Sequence, residues 1–451
     1  MSTAISETQS NDGLARLLQE SEDCRLRGRT TEAERLLGKA LTQWPDSLEA
    51  AMRLAQLALD RQDFGRAIEL LQEACQRNPD EPQAALDLAV VHLNTGNPQA
   101  AVAVLEASLA RTPEFCNGWL LLGQVREALG DELGALTAWY QAITRARRAG
   151  WWTDESTTPP QLLDAVLHAV DRLRRGRRQL FFGCYDDLRQ TYGASELRRV
   201  DRALTGHLRE WDSTPSDPRQ RPKFLFFPDL PSSPYHDPFL QPWAPQLRAA
   251  FPDMRQEALD LIRQECALPN FIDFKPGDRV ENVLTGEGPQ PAWEAFFFYR
   301  HGKRFDENHA RCPKTSAVLE SIELCRIADQ APEVCFSVLR PGTHIMPHHG
   351  VTNTRLVMHL PLIVPPDCAL NLVDAGEHHW KEGELVMFDD TFKHEAWNRS
   401  TSTRIILLMD CWSPYLTPVE KQAVKRLVET ISGLQQADRM PNADDRMAAP
   451  Q

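Results

Sequence analysis

The stretch PGTHIMPHHGVTNTRLVMHL, residues 341–360, decides the fold of the second half of the chain, because it is strand-like and broken by turn-forming residues. Similar short apolar or aromatic segments, separated by Pro, Gly and Asp, surround it: KFLFFP, WEAFFFYRHG, EVCFSVL, ALNLV, ELVMFDD and RIILLMDCW. Strands of this length and spacing predict an antiparallel sandwich or barrel. We therefore expect an all-β, double-stranded β-helix (jelly roll, cupin-like) with flanking helices.

The same stretch is dense in histidine. His344, His348 and His349 fall within six residues, and His359 follows eleven residues after His348. Imidazoles in this number suggest a metal ion such as iron. However, Gly350 stands two residues after His348, where iron-binding strands commonly carry Asp or Glu. The residues alone leave two interpretations open, a metal site without its carboxylate or no metal site.

Composition excludes several classes of protein. The 451 residues are 42% hydrophobic and 25% charged, with a formal net charge of −13, which argues against general nucleic-acid binding. The first residues, MSTAISETQSNDG, lack the apolar core of a secretory signal, and no apolar run is long enough to span a bilayer. The ten cysteines contain no CxxC pair, as expected for reduced thiols. We predict a cytoplasmic protein that binds neither nucleic acid nor membrane.

The first third of the chain repeats with a period of 34 residues. Four columns of residues share this spacing: Pro45, Pro79 and Pro113; Ala33, Ala67, Ala101 and Ala135; Gly28, Gln62, Gly96 and Gly130; Leu54, Leu88 and Leu122. The period and columns resemble the tetratricopeptide repeat, which implies stacked helical hairpins over residues 12–148. The groove of such a solenoid usually binds a peptide or protein partner; the alternative is that the repeats only cap or dimerise the chain.

Composition also suggests the domain boundaries. Residues 149–211 remain amphipathic and helical, and DSTPSDPRQRP at 212–222 is typical of a linker. The β domain then covers 223–433. It includes a helix for which Thr417 and Glu420 form a capping-box pattern. The polar tail at 434–451 is expected to be disordered.

Within the β domain, a few side chains have the spacing of a catalytic site. Strands distant in sequence pair side by side in a jelly roll, so His348 and His394 can share one metal ion. Arg404 begins the strand after His394. A guanidinium at that point could bind the far carboxylate of a dicarboxylate such as 2-oxoglutarate, because it is bidentate and permanently charged.

Three long segments carry a resemblance: FSVLRPGTHIMPHHGVTNTRLVMHLPL, EGELVMFDDTFKHEAWN and TRIILLMDCW. From Phe336 to Trp412 the chain resembles the aspartyl/asparaginyl β-hydroxylase family of Fe(II)- and 2-oxoglutarate-dependent oxygenases. In that family two histidines hold the metal, and glycine with a water molecule replaces the carboxylate. The resemblance implies that His348 and His394 are the metal ligands and that Gly350 marks the absent acid.

The resemblance implies further roles at this site. Ser337 and Arg404 would bind the distal carboxylate of 2-oxoglutarate, His359 would contact this co-substrate near the metal, and Arg355 would meet an acidic substrate. The family commonly carries a second arginine two residues after the first, but this chain has Val357 there. Trp293 is a candidate for lining the substrate pocket, with core packing as the equal alternative.

The resulting prediction is a 2-oxoglutarate-dependent dioxygenase with Fe(II), 2-oxoglutarate and O2 as cofactor and co-substrates. It would hydroxylate the β-carbon of an aspartyl, asparaginyl or related amino acid in a peptide, a protein or a carrier-tethered substrate, and convert 2-oxoglutarate to succinate. The rival prediction is a non-catalytic adaptor in which the repeats bind partners and a degenerate oxygenase fold serves only as structure.

Overall fold

The computed structural model describes residues 2–264, 268–274, 279–286 and 292–436, with side chains described between residues 12 and 435 of these ranges. Its contacts divide the chain into two compact units. Of the described residues, the first unit comprises those up to Arg177 together with residues 433–436, and the second comprises those from Arg178 to Ser432. This division falls inside the segment predicted as a helical extension, 35 residues before the predicted linker.

The first unit is built from helices, and the first eight of them each pack against the next along the chain. They are α1 (Ser2–Leu26), α2 (Thr30–Gln43), α3 (Leu48–Asp60), α4 (Phe64–Arg77), α5 (Pro82–Asn94), α6 (Pro98–Arg111), α7 (Cys116–Ala128) and α8 (Glu132–Arg148), followed by α9 (Leu163–Gly183), which ends beyond the unit.

The predicted repeat columns have a structural cause. Gly28, Gln62, Gly96 and Gly130 each stand two residues after a helix and have φ angles of 74°, 60°, 74° and 79°. Such left-handed residues end helices, and glycine adopts this conformation without steric cost. The alanine column is 0–1% exposed, so these small side chains are where helices approach closely. The tetratricopeptide-like fold is thus confirmed.

The second unit combines short helices with two antiparallel sheets. Its helices are α10 (Asp186–Tyr192), α11 (Arg198–His207), α12 (Ala244–Ala249), α13 (Phe251–Arg263), α14 (Asp306–Arg311), α15 (Pro313–Ser321) and α16 (Pro418–Gln436). Its strands are β1 (Tyr235–His236), β2 (Leu284–Gly286), β3 (Trp293–Arg300), β4 (Lys303–Arg304), β5 (Val334–Leu339), β6 (Thr343–His348), β7 (Arg355–Ile363), β8 (Cys368–Leu372), β9 (Gly376–His378), β10 (Val386–Phe388), β11 (His394–Asn398) and β12 (Arg404–Trp412).

The strands form a larger sheet in the order β1-β10-β7-β12-β5-β3-β4 and a smaller one in the order β2-β6-β11-β8-β9. This two-sheet antiparallel arrangement confirms the predicted jelly-roll-like class. One face of the larger sheet carries most of an apolar core with α12, α13 and α15. Because side chains alternate across a strand, the opposite face of β7 and β12 is free to line a site.

Segments outside the strands also bear on the site. The predicted linker 212–222 contains no helix or strand, yet its end is fixed: Gln220 is 2% exposed and donates from Nε2 to Asp389 Oδ2 at 2.7 Å. The predicted capping box at Thr417 and Glu420 is formed. Helix α16 continues to Gln436, into the tail predicted as disordered, whose residues 437–451 lie outside the described part of the chain. In the described residues, no helix combines the length and apolar character needed to cross a bilayer.

Candidate functional site

The two predicted metal ligands are brought together by strand pairing. His348 ends β6 and His394 begins β11, and the antiparallel register of these strands places the two residues directly opposite each other. The centroids of their imidazole rings are 4.2 Å apart. The register shifts immediately after this pair, between His394 and Ala396, so a bulge adjoins the histidines.

Both histidines are fixed in the tautomer that a metal ligand needs. His348 Nδ1 donates to the Met346 carbonyl at 2.8 Å, and His394 Nδ1 donates to the Phe392 carbonyl at 3.0 Å. With the proton on Nδ1, the lone pair of Nε2 remains available. Burial, followed by the effect of His348, lowers the pKa of His394 to about 3, and burial lowers that of His348. Both rings are therefore neutral at pH 7, as metal binding requires.

The absence of a side chain at Gly350 is also explained. A Cβ built on Gly350 would lie 2.0 Å from Asp390 Cγ, and the Gly350 N–H donates to the Asp390 carbonyl at 2.6 Å. The Asp390 carboxyl thus occupies the space that a side chain at 350 would need. Its buried Oδ1 has no hydrogen-bond partner among the described residues, and burial, followed by the neighbouring Asp389, raises its pKa to about 8.

Arg404 is a buried cation, and no acidic side chain that the structure describes is paired with it. Its side chain is 1% exposed, and neither an ion pair nor a hydrogen bond from its guanidinium is formed within the described residues. The guanidinium lies 5.0 Å from the centroid of the Trp380 ring, which attracts a cation only weakly compared with a carboxylate. Burial lowers the pKa of Arg404 to about 10, so it stays charged at neutral pH. An unpaired buried charge of this kind is strongly unfavourable unless an anion binds to it.

His359 and Ser337 face the same space. His359 is 5% exposed, and both of its ring nitrogens lack partners among the described side chains and backbone groups. Burial, followed by Arg404, lowers its pKa well below the ordinary value, so the ring is neutral. The buried Ser337 hydroxyl accepts from Trp293 Nε1 at 2.9 Å, which leaves its own proton free to donate. Trp293 therefore orients Ser337 as well as bordering the cavity.

Arg355, predicted to meet the substrate, is held in an ion pair. Its Nη1 lies 2.9 Å from Asp410 Oδ2 and 3.3 Å from the Gln330 carbonyl. Asp410 also accepts from the Glu333 backbone N–H at 2.9 Å. Burial raises the pKa of the Glu333 carboxyl to about 7. This end of the site is therefore balanced in charge, unlike the end that contains Arg404.

All predicted site residues border one cavity of about 190 Å³. These residues are Trp293, Ser337, His348, Arg355, His359, His394 and Arg404. The described residues contain no cluster of three or more His, Cys, Asp or Glu side chains arranged to hold a metal, so a metal here would rely on the histidine pair. This fits a site in which small molecules complete the coordination.

Sequence reasoning did not find Asp410, Glu333 or Phe271, which also border the cavity. Asp410 had a signal, since it is the one charged residue inside the apolar run IILLMDCW of β12. Phe271 had none. It lies in an irregular segment, and only the folded chain shows its ring stacked on Trp293 with centroids 3.9 Å apart.

The helical repeats and the jelly-roll-like domain with its histidine pair define a multidomain protein whose candidate site lies entirely within the second unit. Comparison with known proteins identifies both parts. The family model described as "Aspartyl/Asparaginyl beta-hydroxylase" matches residues 248–414, and two tetratricopeptide-repeat models match residues 27–82 and 58–125.

Relatives agree with this assignment. Mouse "Aspartate beta-hydroxylase domain-containing protein 2" is 31% identical over 55% of this chain and 70% of its own length. "Ornithine lipid ester-linked acyl 2-hydroxylase" of Rhizobium tropici is 33% identical over 43% of this chain and 66% of its own. Mouse "Aspartyl/asparaginyl beta-hydroxylase" is 35% identical over 29% of this chain but only 18% of its own. The chain belongs to the aspartyl/asparaginyl β-hydroxylase family, and this membership supports a hydroxylase activity.

Proposed function

We propose that the second unit is an Fe(II)- and 2-oxoglutarate-dependent dioxygenase. The observation that carries the proposal is the buried Arg404, which has no partner in the described part of the chain and faces the same cavity as two histidines with available Nε2 atoms. His348 and His394 would hold the metal. Arg404 and the Ser337 hydroxyl would bind one carboxylate of 2-oxoglutarate, and the neutral His359 would contact the same co-substrate.

The chemistry supplied by bound Fe(II) is a coupled oxidation in which 2-oxoglutarate, O2 and a C–H bond yield succinate, CO2 and a C–OH group. The chain contributes orientation and charge. The carbonyls of Met346 and Phe392 keep the imidazole Nε2 atoms aimed inward, and Arg404 neutralises the far carboxylate of the co-substrate. The apolar walls around Phe388 and Ile406 exclude water from the oxidation.

The family and its relatives suggest two substrate classes, an aspartyl or asparaginyl β-carbon and the acyl chain of a lipid. The first was predicted from the sequence for a peptide, a protein or a tethered amino acid. For the helical unit we propose binding of a peptide or protein partner. A cavity of about 400 Å³ bordered by α4, α5 and α6 is a candidate surface for it. The cytoplasmic location remains a prediction.

The test is metal-dependent formation of succinate from 2-oxoglutarate by the full-length chain with Fe(II) and ascorbate. His394→Ala and Arg404→Ala are expected to reduce the rate at least tenfold. His379→Ala is the matched control, because the His379 side chain is 69% exposed and does not border the cavity.

Unchanged turnover in both cavity variants would refute the assigned roles. If the wild-type chain forms no succinate and binds neither Fe(II) nor 2-oxoglutarate anaerobically, the non-catalytic adaptor is the correct function.

A further inference from the structure

The two arginines of the cavity belong to opposite ends of it. Arg404 is the first residue of β12, whereas Arg355 is the first residue of β7 and pairs in register with Trp412 at the far end of β12. Residues 404 and 412 are separated by eight positions along one strand, which corresponds to about 26 Å at 3.3 Å per residue. The backbone positions of the two arginines therefore lie at opposite ends of β12, and each arginine serves a different part of the cavity.

Among the described residues that border the Arg355 end of the cavity, none offers a free positive charge. Asp410 neutralises Arg355 at 2.9 Å, and the Gln330 carbonyl accepts a second bond from the same Nη1. Asp410 is held in place by the Glu333 backbone N–H. A substrate carboxylate would have to compete with a buried acid that is already fixed next to the guanidinium, and it would lose its own hydration.

The other groups at this end are acidic or apolar. Glu333 borders the cavity, and its carboxyl has a pKa of about 7 because burial makes ionisation unfavourable there. Val357 and Leu408 lie on the cavity face of the two central strands between the two arginines. The stacked rings of Phe271 and Trp293 lie nearer the Arg404 end, because Trp293 and Arg404 both pair in register with Leu339, and they add apolar surface to that part of the cavity. This combination suits an uncharged aliphatic group and disfavours an anion.

We propose that the Arg355 end of the cavity binds an uncharged aliphatic group, such as an acyl chain, beside the carbon that is hydroxylated, and that it discriminates against a carboxylate side chain. This inference rests on the proposed oxygenase function and narrows its substrate class. An acyl chain can be presented as a lipid ester or as a thioester, and the two share the chemistry that this surface recognises.

The test compares two probes that differ only in charge at one end. 6-Methylheptanamide and adipamate have the same length, with an isopropyl group in one and a carboxylate in the other. Each is titrated calorimetrically into the full-length chain saturated with Zn(II) and 2-oxoglutarate. The neutral probe is expected to bind at least tenfold more tightly. Equal or tighter binding of adipamate overturns the proposal, as does failure of the neutral probe to bind.

Two variants test whether the preference for the neutral probe arises from the residues of the cavity. Asp410→Asn frees Arg355 from its counter-ion, and Val357→Arg adds a second guanidinium directly opposite Asp410 in the register of β7 and β12, so that one carboxylate faces two cations. Both are expected to shift the ratio of the two dissociation constants at least fivefold toward adipamate. If neither variant moves the ratio, the proposal is wrong. Val357→Thr, which keeps the size of the side chain without adding a charge, is expected to leave the ratio near that of the wild type.

A turnover assay separates this inference from the proposed function. Succinate formation is measured without substrate, with an octanoyl lipid ester, with an octanoyl-pantetheine thioester and with an aspartyl peptide. Stimulation by either acyl compound supports the inference and identifies the source of the chain. Stimulation by the aspartyl peptide alone overturns the inference while confirming the oxygenase. Loss of metal-dependent succinate in every arm refutes the proposed function, and the binding ratio then decides the substrate class separately.

Discussion

Replacing Arg404 with methionine should make the ligand-free protein more stable and at the same time abolish its response to 2-oxoglutarate. Burial lowers the pKa of the guanidinium from 12.5 to about 10. At 1.36 kcal/mol per pKa unit, this corresponds to an unfavourable contribution of roughly 3 kcal/mol. The depressed pKa lies above 9, so the cation is present in both folded and unfolded chains at pH 7 and the whole penalty applies there. Methionine fills a similar volume without charge, so we expect a gain of about 1–3 kcal/mol.

The matched control is Arg355→Met, which should destabilise the ligand-free protein instead of stabilising it. Arg355 is paired with Asp410, whose side chain is only 9% exposed. Removing one member of a buried pair leaves the other uncompensated and typically costs about 3–5 kcal/mol. The two substitutions are chemically identical and lie on adjacent strands of the same sheet, so their difference isolates the effect of the counter-ion.

The free energy of unfolding of both variants can be measured by chemical denaturation. Hydrogen exchange of the amides in β7 and β12 then reports on the second unit alone. A saturating ligand at about 100 times its dissociation constant should stabilise the wild type by about 2.7 kcal/mol and leave Arg404→Met unchanged. If Arg404→Met destabilises the ligand-free chain as much as Arg355→Met does, Arg404 is a structural residue and the argument from the unpaired charge fails.

Three further predictions concern other parts of the chain. Gln62→Gly should stabilise the helical repeats by up to about 1 kcal/mol, because Gln62 has a left-handed φ of 60° that glycine adopts without strain. Gly96→Ala, at the equivalent position of the next repeat, should destabilise them. Equal thermal midpoints for the two variants would contradict this prediction. Gly350→Ala should lower the free energy of unfolding by about 1–3 kcal/mol, because the added methyl group clashes with Asp390. Adding Asp390→Ala should restore part of that loss in a double-mutant cycle. Strictly additive effects of the two substitutions would disprove the contact. Glu333→Gln should stabilise the fold by up to about 3 kcal/mol at pH 8 and by little at pH 4. The raised pKa of about 7 favours folding below pH 4.5, and this contribution is lost as the pH rises through 7; a pH-independent difference in denaturation midpoints would contradict this.

Local patterns in the sequence determined the helical half of the protein. The 34-residue columns specify where helices end and where they approach, because a left-handed C-terminal residue and a small packing residue act on their immediate neighbours. The capping box at Thr417 and Glu420 was visible for the same reason, as both hydrogen bonds join residues three apart. The strands of the second unit could be named from their apolar runs, but their order in two sheets could not.

The residues of the candidate site were named from the sequence through a resemblance, but their arrangement depends on contacts between distant segments. The pairing of His348 with His394 spans 46 positions, and that of Arg355 with Asp410 spans 55. The resemblance assigned Arg404 and Arg355 different roles, but the sequence does not show which of the two has an acidic partner. Only the tertiary structure shows that Arg355 is neutralised and that Arg404 has no counter-ion within the ranges described, because the charge balance of a buried group is set by which distant side chain the fold places beside it.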